Sequence, residues 1–186
     1  MPPTTDPPAT SFPRAETLRD GTTVTIRPIH LTDRSALDAF HERCSPRTHY
    51  LRFFSAQRHL LPKMLDRFVA VDHDRREAVV AVHDGGIIAV GRYDRLDQLS
   101  PASPGVAAEV AFVVEDRYQG RGIATMLLHE LVVLARERGI DEFRAITLAE
   151  NADMQHVFRH SGLPVTAKRR KDDPSVIEFV LAIRAE

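Results

Sequence analysis

Residues 106–125, with the sequence VAAEVAFVVEDRYQGRGIAT, hold the strongest structural signal in the chain. The first half is an apolar run typical of a buried strand, and the second half places Gly120 and Gly122 immediately before a helical pattern. Such a turn lets the backbone approach a ligand closely and directs successive N–H groups toward one point. Because the N-terminus of the following helix is partially positive, the segment predicts a site for a pyrophosphate group.

The glycine spacing in this segment differs from two common nucleotide-binding loops. It lacks the Gly-x-x-x-x-Gly-Lys-Ser/Thr pattern of Walker-type loops. It also lacks Gly-x-Gly-x-x-Gly, since Thr125 stands at the third glycine position, and the two preceding strands read as a hairpin rather than a Rossmann unit. A turn that binds no ligand is the alternative. If a phosphate is bound, Arg121 offers a charge-assisted contact.

Outward from this turn, the residue pattern alternates between strand-like and helix-like segments. We predict strands at residues 22–26, 77–83, 87–93, 106–114, 143–148, 165–167 and 176–183. We predict helices at residues 34–43, 49–54, 62–70, 122–138 and 152–160, with a loop at 96–105. This order predicts an α/β layered domain, in which helices flank a mixed sheet.

The N-terminal residues have a composition unlike that of the rest of the chain. Residues 1–13 hold five of the 12 prolines and no apolar run, which excludes a secretory signal. We expect a disordered Pro-rich tail over residues 1–17 and one domain over residues 18–186. Since the apolar stretches are also too short to span a bilayer, we expect a cytoplasmic protein with no membrane partner.

Charge and cysteine content exclude further classes. The 186 residues carry a net charge of −1, which argues against a general nucleic-acid-binding surface, and we predict no nucleic-acid partner. Cys44 is the single cysteine, so the chain forms no intramolecular disulfide and no cysteine-rich zinc site. None of the nine histidines lies in a His-x-x-x-His pair beside a glutamate, and we predict no metal site.

The segment Gln119-Gly120-Arg121-Gly122-Ile123-Ala124 resembles the Q/R-x-x-G-x-G/A motif of the GNAT acyl-CoA-dependent N-acetyltransferases. The order of elements over about residues 18–183 is similar to that fold. The resemblance implies a mostly antiparallel sheet with splayed central strands, a turn that binds the pyrophosphate of the co-substrate acetyl-CoA, and a preceding strand whose backbone pairs with the pantetheine arm. The residues it implies for acetyl-CoA binding are Phe112, Val113, Val114, Gln119, Gly120, Arg121, Gly122, Ile123, Ala124, Thr125 and Asn151.

A narrower resemblance is to the bacterial Pat-type protein lysine acetyltransferases. It rests on Ile26-Arg27-Pro28-Ile29, on Ser45-Pro46 followed by Tyr50-Leu51-Arg52-Phe53-Phe54, and on Ala108-Glu109-Val110-Ala111-Phe112. It implies that the acceptor is a protein lysine and that Glu109 is the catalytic base.

The chemistry of amine acetylation independently requires a base. A lysine amine has a pKa of about 10.4 and must lose a proton before it attacks. Glu109 is a charged residue in an otherwise apolar strand, where burial without a partner is costly. The alternative is a strand-edge glutamate paired with one of the many arginines.

Two further catalytic features follow from the resemblance. The backbone N–H of Val114 is the implied donor to the oxyanion of the tetrahedral intermediate. Many GNAT enzymes carry a tyrosine at the position of Phe158, and since phenylalanine cannot donate a proton, no general acid is assigned.

We therefore expect an acetyl-CoA-dependent N-acetyltransferase that acetylates protein lysines by direct transfer. A small-molecule amine is the alternative acceptor, such as a polyamine, an amino acid or an aminoglycoside. A non-catalytic acyl-CoA-sensing module is a further alternative, and the presence of Glu109 beside the complete glycine motif speaks against it.

Overall fold

The computed structural model describes residues 12–55, 59–96 and 105–184, and in these ranges eight strands form one sheet. The strands are β1 (Arg14–Thr17), β2 (Thr23–Pro28), β3 (Arg76–His83), β4 (Gly86–Arg95), β5 (Ala107–Val114), β6 (Glu142–Leu148), β7 (Val165–Arg169) and β8 (Val176–Ala182). The α-helices of the same ranges are α1 (Arg34–Arg43), α2 (Pro46–Phe53), α3 (Pro62–Val69), α4 (Ile123–Glu137) and α5 (Ala152–Arg159). The predicted α/β architecture is confirmed, while most of the predicted 96–105 loop lies outside the described residues.

The sheet has the strand order β1-β2-β3-β4-β5-β6-β8-β7. All neighbouring strands are antiparallel except β5 and β6, which are parallel and are connected through α4. These two strands pair only between residues 107–109 and residues 142–144. Beyond that point they separate, which confirms the predicted splay of the central strands.

The two faces of the sheet carry different helices and different cores. α4 packs against β3 and β4, within a core cluster that includes Phe112 and Leu127. α1 and α3 contribute to a second cluster, which includes Phe40 and Val113. Because successive side chains of a strand point to opposite faces, β5 supplies Phe112 to the first cluster and Val113 to the second.

The N-terminal strand β1 corrects one prediction. Residues 14–17 were expected to belong to a disordered tail, but they pair antiparallel with β2 in the register Arg14↔Ile26 to Thr17↔Thr23. Without β1, the outer edge of β2 would have unpaired backbone groups, and these groups pair with β1. Arg14 also forms an ion pair with the buried Glu130 of α4. Composition alone predicts neither the pairing with β2 nor the ion pair with Glu130. The rest of the predicted tail, residues 1–11, lies outside the described residues.

Helix α2 begins at Pro46, three residues before the predicted start at His49. The Ser45 side chain caps the helix, because its Oγ accepts a hydrogen bond from the Thr48 N–H at 3.2 Å. Pro46 occupies the first helical position, where its missing N–H costs nothing. The Ser45-Pro46 pair thus ends one helix and begins the next.

Within the described ranges, no helix combines the length and the apolar character needed to cross a membrane.

Candidate active site

The gap between β5 and β6 exposes one backbone edge of β5. The Glu115 N–H donates to the Ile88 carbonyl on the β4 side, at 2.9 Å. Because the backbone groups of an antiparallel strand alternate in direction, this bond directs the N–H and C=O of residues 110, 112 and 114 away from β4. β6 has separated by that point. The free edge of β5 therefore faces the gap, as expected for a strand that pairs with an extended ligand.

Val114 is the last residue of this edge, and its two backbone groups differ. Its carbonyl oxygen accepts a hydrogen bond from Gln119 Nε2, at 2.9 Å. Its N–H lies on the side that faces the gap, by the same alternation. The predicted oxyanion donor thus lies at the open end of the gap, and a neighbouring side chain restrains the adjacent peptide unit.

The glycine turn that follows has the backbone geometry that only glycine adopts easily. Gly120 has φ +73° and Gly122 has φ +89°, in the left-handed region. A Cβ built on Gly120 meets no atom within 4 Å, and one on Gly122 meets only Arg19 Nε at 3.9 Å. The turn is therefore open on this side, with space for a ligand against the backbone.

Helix α4 begins at this turn with unused N–H groups. Gly122 is its N-cap and supplies no side-chain cap, and the first helical hydrogen bond runs from the Met126 N–H to the Gly122 carbonyl at 3.0 Å. The N–H groups of Ile123, Ala124 and Thr125 precede that bond and have no helical acceptor. Together with the partial positive charge of the helix end, they form a site suited to an anion.

The Arg121 side chain is directed to protein partners. Its guanidinium contacts Asp20 and donates to the Arg117 carbonyl at 2.6 Å. It also lies over the Tyr118 ring, 5.1 Å from the centroid. In this arrangement the groups of the turn that are free to donate hydrogen bonds to an anion are backbone N–H groups. The arginine helps to hold the turn in place.

Gln119 belongs to a network that joins this turn to α2, which sequence reasoning missed. Gln119 Nε2 also donates to Thr48 Oγ1 at 3.1 Å, and Thr48 Oγ1 donates to Asp116 Oδ1 at 2.9 Å. Asp116 Oδ2 accepts from the Ser45 N–H at 2.8 Å. Burial raises the pKa of Asp116, but the hydrogen bonds from Ser45 and Thr48 outweigh it, so the pKa lies below its ordinary value. No local sequence pattern predicts these contacts, because they join residues far apart in the chain.

The residues after β6 take structural roles. Asn151 Oδ1 accepts a hydrogen bond from the Met154 N–H at 3.2 Å, so the predicted acetyl-CoA contact caps α5. Phe158 is buried between Phe112, at 6.2 Å between ring centroids, and Phe179, at 5.3 Å. Phe158 therefore forms part of the core beside the gap and offers no proton.

Glu109 lies where β5 and β6 begin to separate. It is the last residue of β5 in register with β6, opposite Arg144, and on its other side it is in register with Asp94 of β4. Its side chain is exposed, on the face of β5 that carries Val113. Among the described residues no cation lies within 4.0 Å of its carboxylate, so the predicted base does not form the alternative ion pair with an arginine there.

A small cavity opens on this same face of β5, between the strand and the first three helices. It has a volume of about 20 Å³, and its lining includes His41, Arg52, Arg92 and Ala111. Burial, followed by the charges of His49 and the two arginines, lowers the pKa of His41 to about 3 and keeps this ring neutral. Sequence reasoning did not identify the cavity, because no local pattern distinguishes Arg92 from the many other arginines of the chain.

Cys44 takes no part in this arrangement. It is buried, and its Sγ donates a weak hydrogen bond to the Phe40 carbonyl at 3.4 Å. Burial raises the pKa of this thiol to about 12, so it stays protonated and is a poor nucleophile. In the described part of the chain, no three histidine, cysteine or acidic side chains converge on a point where a metal ion would bind.

Comparison with known proteins agrees with this geometry. The model of the acetyltransferase (GNAT) family matches residues 36–163. An acetyltransferase of Pseudomonas aeruginosa is 30% identical over 170 residues, which are 90% of this chain and 88% of that protein. The GNAT domain of S. lividans PAT has a TM-score of 0.81 and 37% identity, and the match covers 91% of this chain and 96% of that one.

A third similar protein is longer. The cAMP-binding acyltransferase from Mycobacterium smegmatis matches with a TM-score of 0.62 and 26% identity. The match covers 93% of this chain and 48% of that one, so the present chain spans about half the length of that relative.

Proposed function

We propose that this chain transfers an acetyl group from acetyl-CoA directly to the side-chain amine of a protein lysine. The chain belongs to the acetyltransferase (GNAT) family and is an acetyltransferase. One observation carries this proposal: the gap between β5 and β6 has Glu109 where the strands part and the Val114 N–H with the glycine turn at its open end. A base, an oxyanion donor and an anion site thus stand along one edge.

The backbone of this chain suits acetyl-CoA as the donor substrate. The N–H groups at the start of α4, from Ile123 to Thr125, would donate to its pyrophosphate beside the open turn at Gly120 and Gly122. The free edge of β5 from Phe112 to Val114 would pair with the pantetheine arm in place of the missing neighbouring strand.

Glu109 would accept the proton of the acceptor ammonium, directly or through one water molecule. The neutral nitrogen then forms the new C–N bond at the acetyl carbonyl, and the carbon–sulfur bond breaks. Negative charge develops on the carbonyl oxygen during this step, and the Val114 N–H donates a hydrogen bond to it. The Gln119 bond to the Val114 carbonyl holds the next peptide unit and so restrains the end of the strand. The strand edge therefore supplies the stabilisation, and the Val114 side chain does not.

The sulfur leaves as a thiolate. A thiol with a pKa of about 8.5 is a fair leaving group, so transfer does not require a proton donor at that atom. This fits the buried, apolar position of Phe158. The thiolate takes its proton from solvent after release.

A protein acceptor is supported by the Pat-type segments and by the exposure of Glu109. The carboxylate is accessible on the face of the sheet that carries α1, α2 and α3, so that an extended side chain can reach it. A lysine at the end of a four-carbon stem has the required reach.

The test is the Glu109→Gln variant, compared with the Glu137→Gln control at the far end of α4. We expect kcat/KM for a lysine acceptor to fall by roughly 100- to 10,000-fold in Glu109→Gln, because the amine loses its base. We expect the Kd for acetyl-CoA to stay within twofold of the parent value, since the pyrophosphate site is unaltered. Parental turnover across neutral pH in Glu109→Gln would contradict the role of this residue.

The acceptor class is tested separately. Cell-lysate proteins and a panel of polyamines, amino acids and aminoglycosides would be incubated with labelled acetyl-CoA and examined by mass spectrometry. We expect label on protein lysines, lost in Glu109→Gln. Transfer to small amines alone would contradict the proposed acceptor.

A further inference from the structure

We propose that His156 and His160, at the C-terminal end of helix α5, form a surface site for one divalent transition-metal ion. The two residues are four positions apart, so their side chains lie on the same side of the helix, one turn from each other. This two-ligand arrangement differs from the patterns that led us to predict no metal site. The inference does not depend on the proposed function, because neither residue has a role in acetyl transfer.

The first evidence is the distance between the two imidazole rings. Their centroids are 4.0 Å apart and their planes are tilted by 28°, so the rings lie side by side. Two imidazole nitrogens that bind one metal ion at about 2.0–2.1 Å, in adjacent coordination positions, are themselves about 3 Å apart. The rings can reach that arrangement by rotation about side-chain bonds, without any movement of the helix backbone.

The second evidence is the hydrogen bond that holds His160. Its Nδ1–H donates to the His156 carbonyl oxygen at 2.9 Å. When a neutral imidazole carries its proton on Nδ1, the lone pair available to a metal ion is on Nε2. Metal-binding histidines usually donate their second ring N–H to an acceptor of this kind, which fixes the orientation of the ring. His160 is therefore oriented as a ligand before an ion arrives.

Both rings are also free to bind an ion. Both residues are exposed, and within the described ranges neither ring has a polar partner apart from this hydrogen bond. The adjacent cation, Arg159, is directed elsewhere, with its guanidinium 5.4 Å from the centroid of the Phe179 ring. The carbonyl groups at the C-terminal end of a helix carry partial negative charge, which favours a cation. An incoming ion therefore displaces no ion pair.

The donor set defines the class of ion. Imidazole nitrogen suits Cu²⁺, Ni²⁺ and Zn²⁺, whereas Mg²⁺ and Ca²⁺ prefer oxygen ligands. In the part of the chain that the structure describes, no group of three or more metal-binding side chains is present, so water would fill the remaining coordination positions. With the geometry of the ion left open in this way, Cu²⁺ should bind most tightly of the three.

The location gives the ion an effect on the structure. The turn between the two histidines contains Phe158, whose ring centroid lies 6.2 Å from that of Phe112 in β5. An ion that joins the two histidines would hold this turn in its helical conformation, because unwinding would separate its ligands. We therefore expect metal binding to stabilise the folded protein.

The test is calorimetric titration of the full chain with CuCl₂, NiCl₂ or ZnCl₂. His156→Ala and His160→Ala each remove one ligand. His129→Ala is the control, since His129 is an exposed histidine of α4 with no second histidine four residues away. We expect the Kd of the tightest Cu²⁺ equivalent to rise by about tenfold or more in each ligand variant, because the second contact is lost. In His129→Ala it should stay within about twofold of the parent.

Two further measurements identify the ligands. Electron paramagnetic resonance of the bound Cu²⁺ should show nitrogen coupling from two imidazoles in the parent and from one in each ligand variant. The thermal midpoint of the parent should rise with CuCl₂ by more than that of either variant, and the midpoints without metal check that the variants fold.

The outcomes separate this site from other histidines and from the proposed function. Parental Cu²⁺ affinity in either ligand variant would overturn the inference. An equal loss of affinity in His129→Ala would also overturn it, because the ion would then bind at α4. None of these measurements uses acetyl transfer, so their failure would leave the proposed function unaffected.

Discussion

The two halves of strand β5 have the same kind of sequence and different surroundings. Residues 107–109 are paired on both sides, with β4 and with β6, whereas residues 110–114 are paired with β4 alone. Both halves are made mainly of alanine and valine. The departure of β6 leaves this edge of β5 unpaired, and no special residue type in β5 is required for it.

The roles proposed for the two halves also fall to different parts of the chain. Where the strands part, the proposed role belongs to a side chain, the carboxylate of Glu109. At the open end it belongs to backbone N–H groups, those of Val114 and of the first turn of α4. Side-chain substitutions should therefore have large effects in one half and small effects in the other, and four predictions test this contrast.

Among these four, the largest effect is expected from removal of the Val114 N–H. In Val114→Pro the amide proton is lost, and we expect kcat/KM to fall by roughly 100- to 1,000-fold, as for other oxyanion donors. Val114→Ala keeps the amide and should stay within about threefold of the parent. Steady-state kinetics on both variants provides the measurement.

The matched control for this substitution is the neighbouring residue, Val113. Its N–H points toward β4, so Val113→Pro removes a ladder hydrogen bond and should lower folding stability. Equal stability of the two proline variants would contradict the assignment of backbone directions along β5.

The next effect concerns the glycine turn. Gly122→Asp introduces a side chain at φ +89° and a negative charge at the proposed pyrophosphate site. We expect the Kd for acetyl-CoA, measured by calorimetry, to rise by about 100-fold, from strain and charge repulsion together. Gly162→Asp is the control, since Gly162 also has positive φ, +78°, and no atom within 4 Å of an added Cβ. A similar loss of affinity in that control would show that global destabilisation causes the effect.

A smaller effect is expected from the network between the turn and α2. Thr48→Val and Gln119→Ala each break the hydrogen bond of 3.1 Å between these side chains. In a double-mutant cycle of urea unfolding, we expect a coupling free energy of about 0.5–1.5 kcal/mol. Strictly additive effects would mean that α2 and the open end of β5 are positioned independently.

The smallest effect is a dependence of stability on pH through Asp116. Its pKa is lower in the folded protein than in the unfolded chain, whose ordinary value is 3.8. Its stabilising contribution is therefore complete above about pH 4 and is lost as the pH falls through the lower folded value. Asp116→Asn should flatten the unfolding curve in this acid range, and the exposed Asp172→Asn control should follow the parent.

Much of the fold followed from residue patterns. The predicted bounds of α1 match those observed, because a helical apolar face and the Pro46 that follows mark both ends. The strands β3 and β4 were equally clear from their apolar runs and the turn at Gly85. Strand β1 was missed, because its order depends on the β2 edge and on Glu130, far away in the sequence.

The sequence also indicated the backbone groups of the candidate site. It indicated only some of the side chains around that site. A glycine-rich turn and a charged residue in an apolar strand are local signals, so the sequence could propose Gly122 and Glu109 as candidates. The partners of Gln119, and the meeting of Arg52 with Arg92, depend on how α2 packs on the sheet. No local sequence pattern predicts that packing.

The single-sided pairing of β5 has a consequence for the rate at which its amide protons exchange with solvent deuterium. The amides of Ala111 and Val113 point into the β4 ladder and should exchange only through local unfolding. Those of Phe112 and Val114 face the open gap and should exchange much faster. This alternation along one strand would disappear when a ligand pairs with the edge, so exchange at two residues reports occupancy of the site without any turnover.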